Sequence, residues 1–571
     1  MTSLTVKTIA GHRYYYAREC KRINGKPKIV WQKYLGKLDD IIAAMTGPAP
    51  GVPQPKDALV VEFGASAALL RISERLDLVR IIDEVCPKGR QGLSVGSYLT
   101  LAAINRCVCP KSKATFADWY DDTVLRRLFP VPKEALASQR FWDHMDRIDE
   151  AAICLIEEKL ATRAVAEFGI TLDHLLYDST NFFTFIDSFN DESTLAQRGH
   201  SKEGRASLRL IGLALLVSRD SHIPLVHATY PGNRPDATQF GSTCEQLMKR
   251  IRMLAGENTS VTLVFDKGQT SKDNLERLGE MHFVSSVPAS MVKDLIDLKH
   301  DDPRFQPASH PGLKGVRTMR LQRDVFGARR TVLVTVNLKL RDAQRESLRR
   351  ALEKALVKLS NLATKLQEHQ AGRGRSPSLD SVAKSVQSFL KVQHLRTLVE
   401  TEIREENGRP LLKFSIRAGA LDELASTRLG KTILFTSRDE WTDEEIVLGY
   451  RGQYQVEDAF RTMKDPTHVS FAPLHHWTDQ KIRVHVLYCV IALMLASLLA
   501  REAAKANIHA SIANIIEELS HIHEVTTFYP PVGPKGRALR TATVLSRLNP
   551  EQQILFDSLG LGDVLGHTTR E

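Results

Sequence analysis

The chain predicts a multidomain α+β protein: a mixed-sheet core interrupted by a long insertion, with an N-terminal β-hairpin and a helical domain ahead of it. Three observations predict this. Between residues 172 and 287, short apolar runs and amphipathic stretches follow the order β-β-β-α-β-α-β. Residues 65–165 instead carry apolar positions at spacings of three and four, the helical period. Leu348, Leu352, Leu356, Leu359, Leu362 and Leu366 then mark a long amphipathic helix that breaks the strand pattern before it resumes at KTILFTS.

Taken in order, residues 1–46 form a basic β-hairpin region. HRYYYAREC and KPKIVWQKYLGK alternate aromatic and basic positions about Asn24-Gly25, a hairpin-turn pair. GPAPGVPQP at 47–55 is a linker. Residues 56–168 are the helical domain, a candidate reader of DNA ends. Residues 169–290 are the first part of the core. LDHLLYDSTNFFTF reads as a strand ending at Asp178, and SVTLVFDKG as a strand ending at Asp266. Residues 291–430 are the insertion: a helical hairpin placed between TMRLQRDVFGARRTVLVTVNL and KFSIRAG. Residues 431–510 are the second part of the core and carry GYRGQYQVEDAFRTMKD, with Glu457; residues 511–571 are a C-terminal region.

Lys and Arg number 78 against 67 Asp and Glu, a formal net charge of +11, which favours a polyanionic partner. Seven cysteines without metal-ligand spacing argue for a reducing cytosol and no disulfide framework. VHVLYCVIALMLASLLA, residues 484–500, is shorter than the roughly 20 apolar residues of a membrane span and reads as a core helix. No membrane association is expected, and the N-terminal stretch shows no signal-peptide pattern. RGQYQ and DKGQTSKDN lack G-x₄-G-K-[ST], so they give little support to a phosphate-binding loop for nucleotide hydrolysis.

Asp178, Asp266 and Glu457 are the candidate catalytic and metal-binding residues. Taken singly, a strand-end Asp caps a turn and a helical Glu pairs with a cation. Taken together, three carboxylates repel one another unless divalent cations lie between them. Mg²⁺ accepts hard oxygen ligands and leaves places for water and phosphate oxygens. Two such ions about 4 Å apart support in-line phosphoryl transfer. Read as one helix, Tyr450, Gln453, Glu457, Arg461 and Lys464 share a face, while Val456, Phe460 and Met463 form an apolar stripe that anchors it.

Tyr450, Gln453, Glu457 and Lys464 stand at the spacings of Y-x₂-R-x₃-E-x₆-K, with Gln453 in the arginine position. DSTNFFTF, GHSKEGR, YPGNRPDATQF, VFDKGQTSKDNL and HHWTDQKIRVHV supply further motifs in the same order. The chain thereby resembles bacterial DDE transposases of the insertion-sequence-four superfamily, in the branch named after insertion sequence sixteen-thirty-four. The resemblance implies an RNase H-like core whose three acids are Asp178, Asp266 and Glu457. It implies two Mg²⁺ or Mn²⁺ ions, cleavage at transposon ends and strand transfer into target DNA. It places Tyr450, Gln453, Arg461 and Lys464 against DNA, together with His200, Lys202 and Arg205 in the polar loop after the first aspartate. It implies double-stranded DNA partners (terminal inverted repeats and target), a homodimer in the synaptic complex, and a place in the bacterial cytosol. Two other readings stand beside this one: a nuclease on the same fold without strand transfer, and a catalytically silent DNA-binding derivative, against which the presence of all three acids weighs.

Overall fold

Residues rich in Val, Thr, Ile and aromatics pair into sheets here, and the surrounding helices cover the sheet that carries the acids. The structure, a computed structural model, describes residues 2–23, 26–46, 54–89, 92–187, 189–199, 207–255, 260–368, 377–406, 409–530 and 540–565. It divides into two compact units, one of Glu62–Ile522 with Arg547–Leu565, the other chiefly of Met1–Val61 with His523–Ser546.

At the N-terminus, β1 (Thr2–Ile9), β2 (His12–Ile23) and β3 (Lys26–Gly36) form an antiparallel sheet in that order. The expected hairpin is β2–β3; its Asn24-Gly25 turn lies outside the described residues, as does most of the 47–55 linker. TSLTVKTI adds a third strand that the sequence reading left out. Next comes β4 (Asp57–Glu62). The helices expected between 56 and 168 follow, among them Gly64–Arg75, Val95–Val108 and Glu150–Phe168. Ser94 and Asp149 cap two of them by accepting from the backbone N–H of Ser97 and Ala152.

The larger unit is built on a nine-stranded mixed sheet. Its first strands are β5 (His174–Phe183), β6 (Leu210–Ser218) and β7 (Pro224–Pro231), then β8 (Thr262–Val264) and β9 (His282–Ser286). The helices Asp236–Ala255 and Lys272–Leu278 lie between β7 and β8 and between β8 and β9, as the segment order predicts. The chain continues through β10 (Gln306–Pro307), β11 (Val316–Val325) and β12 (Ala328–Asn337). It then leaves the sheet for the long helix Leu338–Glu368, a second helix Leu379–Phe389, and the hairpin β13 (Val399–Glu406) and β14 (Arg409–Ile416). This stretch has its own apolar cluster, with Leu348, Leu352, Leu359, Leu366, Val382 and Leu424 buried in it. β15 (Lys431–Thr436) returns to the sheet, whose spatial order is β10-β11-β12-β15-β9-β8-β5-β6-β7.

Part of the 291–430 stretch belongs to the sheet itself. β10, β11 and β12 belong to the main sheet, because β12 pairs antiparallel with β15 from Thr331–Thr436 to Val336–Lys431. KFSIRAG does not flank the sheet; its strand β14 pairs only with β13. β16 (His523–Tyr529) and β17 (Arg540–Leu545) form one sheet with β4.

The apolar run 484–500 lies in the helix Asp479–Lys505, whose most apolar window is 94% buried. It is long and apolar enough to cross a membrane, yet here it is a core helix. His485 within it is fully packed. Its Nε2–H donates to the Phe471 carbonyl at 2.8 Å, and its Nδ1 accepts from Tyr488 Oη at 2.5 Å. Burial, with Arg106 and Lys113 nearby, holds this imidazole well below its ordinary pKa and therefore neutral.

Candidate active site

Alternation along β5 sets the first acid. Leu175 and Tyr177 point into the main core, where the Tyr177 and Phe240 rings meet edge-on at 4.9 Å. Asp178, Thr180 and Phe182 therefore face the opposite side. The Phe182 ring stacks on Phe471 at 4.2 Å and approaches Phe460 at 6.4 Å. Phe460 belongs to the helix Tyr454–Lys464, so the helix bearing Glu457 packs on the Asp178 face of the sheet. Val456, Phe460 and Met463 are buried, as the apolar stripe predicts.

Asp178 is not at a strand end. β5 runs on to Phe183, still paired with β6, with Asp178 opposite Leu215. What stops is the other neighbour: β8 is three residues long and pairs with β5 only through Leu176 and Val264. Asp178 thus lies just past the point where the parallel ladder gives out. Asp266 follows β8 by two residues, with extended backbone (φ −82°, ψ 161°) ahead of a short 3-10 turn. Its side chain does not cap that turn. Instead Asp266 Oδ1 accepts from Tyr450 Oη at 3.0 Å, and Ser286 Oγ lies 2.9 Å from the same hydroxyl.

Asp178, Asp266 and Glu457 line one open cleft of about 750 Å³, together with Thr180, Gln269, Arg461 and Lys464. Asp178 Oδ1 accepts from Gln269 Nε2 at 3.2 Å. Among the described residues the Glu457 carboxylate makes no hydrogen bond or ion pair. Arg461 pairs with Asp458 instead, and Lys464 Nζ donates to Thr180 Oγ1 at 2.9 Å. Among the described residues, no three His, Cys, Asp or Glu side chains gather tightly enough to form a metal cage. The three acids thus share a cleft without closing into a cluster. Their chemistry nonetheless suits a hard cation: carboxylate oxygens only, one of them unengaged, with room for water and phosphate.

Two readings of the glutamate helix are corrected. It is not one helix: Asp443–Arg451 and Tyr454–Lys464 are separated by a turn at Gly452 and Gln453. Gly452 fits there because a Cβ would meet Leu176 Cδ2 at 3.3 Å, so the break seats closely on β5. Gln453, expected to contact DNA, is only 6% exposed. Its Nε2 donates to the Tyr177 carbonyl at 3.0 Å, the peptide immediately before Asp178. It ties the glutamate helix to the aspartate strand and does not reach solvent.

Tyr450 is half-buried and turned toward Asp266. Burial, with the Asp266 and Glu457 carboxylates beside it, pushes its phenol above the ordinary range, so it stays a protonated donor through neutral pH. Arg461 is exposed at the cleft, its side chain 82% accessible. His200, Lys202 and Arg205 lie outside the described residues. Gln269, Thr180 and Ser286 escaped the sequence reading. The one available signal was the position of Gln269, three residues after Asp266, where a 3-10 turn brings it back over the strand ends.

No match is found among curated proteins. Among solved structures, a chain from the cryo-EM structure of a piggyBac transposase synaptic complex with hairpin DNA is similar at 10% identity and a TM-score of 0.35, over 80% of this chain and 79% of that one. The family described as Transposase DDE domain matches residues 172–495, more than half of the sequence. Since that match runs from just before β5 to well past Glu457, the chain belongs to the transposase DDE-domain family.

Proposed function

We propose that this protein cleaves the ends of an insertion sequence and joins them to target DNA, using an RNase H-like core. The observation that carries the reading is the shared cleft of Asp178, Asp266 and Glu457 within the family's matched span. The three carboxylates would hold Mg²⁺ or Mn²⁺. Bound there, the ions supply a lowered pKa for the attacking hydroxyl and charge neutralisation at the leaving oxygen. The chain's own groups do the rest. Gln269 and Tyr450 donate to Asp178 and Asp266, orienting the two carboxylates. Lys464, two turns beyond Glu457, reaches the cleft from the same helix and supplies a cation for a phosphate. The finer assignment to the insertion-sequence-four superfamily, a synaptic homodimer and a cytosolic location belong to the same proposal.

The test is a reaction of purified protein with duplex DNA carrying the element's terminal repeats. End cleavage and joined products in Mg²⁺, abolished by chelation, are expected. Cleavage indifferent to the repeat sequence, without joined products, would replace this reading with a nuclease. Tight DNA binding without metal-dependent cleavage would replace it with a silent derivative.

Tyr450→Phe gives a narrower prediction. It removes the donor to Asp266 but keeps the ring, and a lost outer partner of a metal ligand costs roughly 10-fold or somewhat more in rate. Because the phenol does not titrate near neutrality, the pH profile of cleavage between pH 6 and 9 should keep its shape in the variant. A profile that loses an alkaline limb would show that Tyr450 itself ionises in the reaction.

A further inference from the structure

Residues 1–46 hold nine Lys and Arg against three Asp and Glu, so this short stretch carries six of the chain's eleven net positive charges. Their placement is more telling than their number. β1 pairs with β2 only as far as Thr2 and Glu19. Beyond Glu19 the sheet narrows to a two-stranded ribbon in which Cys20 faces Ile29, Lys21 faces Lys28, Arg22 faces Pro27 and Ile23 faces Lys26. Every residue of this ribbon is exposed. No Asp or Glu occurs between residues 20 and 29, and the nearest carboxylate, Glu19, stands 3.7 Å from Lys21 Nζ.

Side chains of paired residues share a face, so Lys21, Lys26 and Lys28 project together and Arg22 projects from the other side. Like charges placed directly opposite destabilise an antiparallel pair, and Lys21–Lys28 is such a pair. A polyanion relieves that repulsion. The ribbon also matches one in width: paired strands lie about 4.8 Å apart, and the major groove of B-DNA, about 12 Å wide, admits a two-stranded β-ribbon. We propose that Cys20–Ile23 with Lys26–Ile29 forms a groove-entering DNA ribbon, its lysine face set on the phosphates. This rests on the DNA-directed reading above but assigns the contact to a unit outside the matched family span. The ribbon holds duplex DNA by charge and shape.

The experiment compares the full-length chain with its Lys21→Gln, Arg22→Gln, Lys26→Gln, Lys28→Gln variant. Binding to a labelled random-sequence 30-bp duplex is measured across a KCl series. Each lost phosphate contact removes about 0.9 from the slope of log affinity against log salt, so the slope should shrink by about three to four. A companion variant with Lys21, Lys26 and Lys28 all changed to Arg should keep the wild-type slope. Thermal melting should match wild type, because the substitutions remove a like-charge pair and touch no core. An unchanged slope in the Gln variant overturns the proposal. Equal loss in the Arg variant does so too, since phosphate contact needs charge alone. Sedimentation without DNA tests the rival occupant: a wild-type dimer that the Gln variant loses would assign the ribbon to a second copy of the chain. Wild-type cleavage of terminal-repeat DNA is measured alongside, so loss of the ribbon role is distinguished from loss of the transposase reading.

Discussion

Asp178→Asn and Asp266→Asn should each reduce metal-dependent end cleavage by about a thousandfold or more. That is well above the ~10–100-fold that follows loss of an outer-shell partner. The amide keeps the volume of the carboxylate and removes its charge, so what changes is the ability to hold a cation. Glu457→Gln should fall in the same class, since that carboxylate has no other partner among the described residues. DNA affinity without metal should hold or rise, because each substitution removes negative charge from a cleft that receives phosphate. Thermal stability without metal should not fall, for the same reason. Single-turnover cleavage at saturating Mg²⁺, with melting curves in chelator, separates these outcomes. Undiminished cleavage in any one of the three would remove that residue from the site.

Gln453→Leu is the second large effect. The side chain is buried and gives its amide hydrogen to the Tyr177 carbonyl, next to Asp178. Leucine matches the volume but removes this buried hydrogen bond, at a cost of about 0.5–1.5 kcal/mol in stability. The consequence for catalysis is larger than for folding. The helix carrying Glu457 loses its polar tie beside Asp178, while Lys464 still holds Thr180 farther along that strand, and misplacement of a reacting geometry by about 1 Å costs on the order of 100-fold. The expected pattern is a fall in the cleavage rate with little change in duplex affinity. Lower affinity with an unchanged cleavage rate would return Gln453 to the DNA-contacting role that its position in the motif first suggested.

These two cases mark how far the sequence could be read. The order of β5 to β9 was legible because each strand is a short apolar run bounded by turns, and the intervening helices have a different period. The buried faces of Val456, Phe460 and Met463 were legible for the same reason. So was the gathering of three distant acids, though only as a set, since each alone reads as a cap or an ion pair. The orientation of Gln453 was not legible. Spacing places it on the face of Glu457, but its amide turns to the Tyr177 carbonyl, and no periodicity reports a two-residue break between two good helices. Asp178 as a mid-strand residue was hidden because β5 runs on to Phe183 through its pairing with β6, which the local pattern around Asp178 does not report. The joining of β4 with β16 and β17 was hidden by separation in sequence: strands more than four hundred residues apart carry no mark of each other.

The return of the chain at β15 has a consequence for how this protein tolerates change. Asn337 N donates to the Gly430 carbonyl at 2.8 Å, so the long helix and everything after it leave and rejoin the sheet at adjoining positions. To the sheet, the entire excursion is the turn of a hairpin. The entropy of closing such a turn grows only logarithmically, about 0.6 kcal/mol for each doubling of length. Lengthening, shortening or exchanging the excursion therefore leaves the register of β12 on β15 nearly as it was. Selection can reshape that body freely, while the strands that hold the carboxylates feel only its two ends.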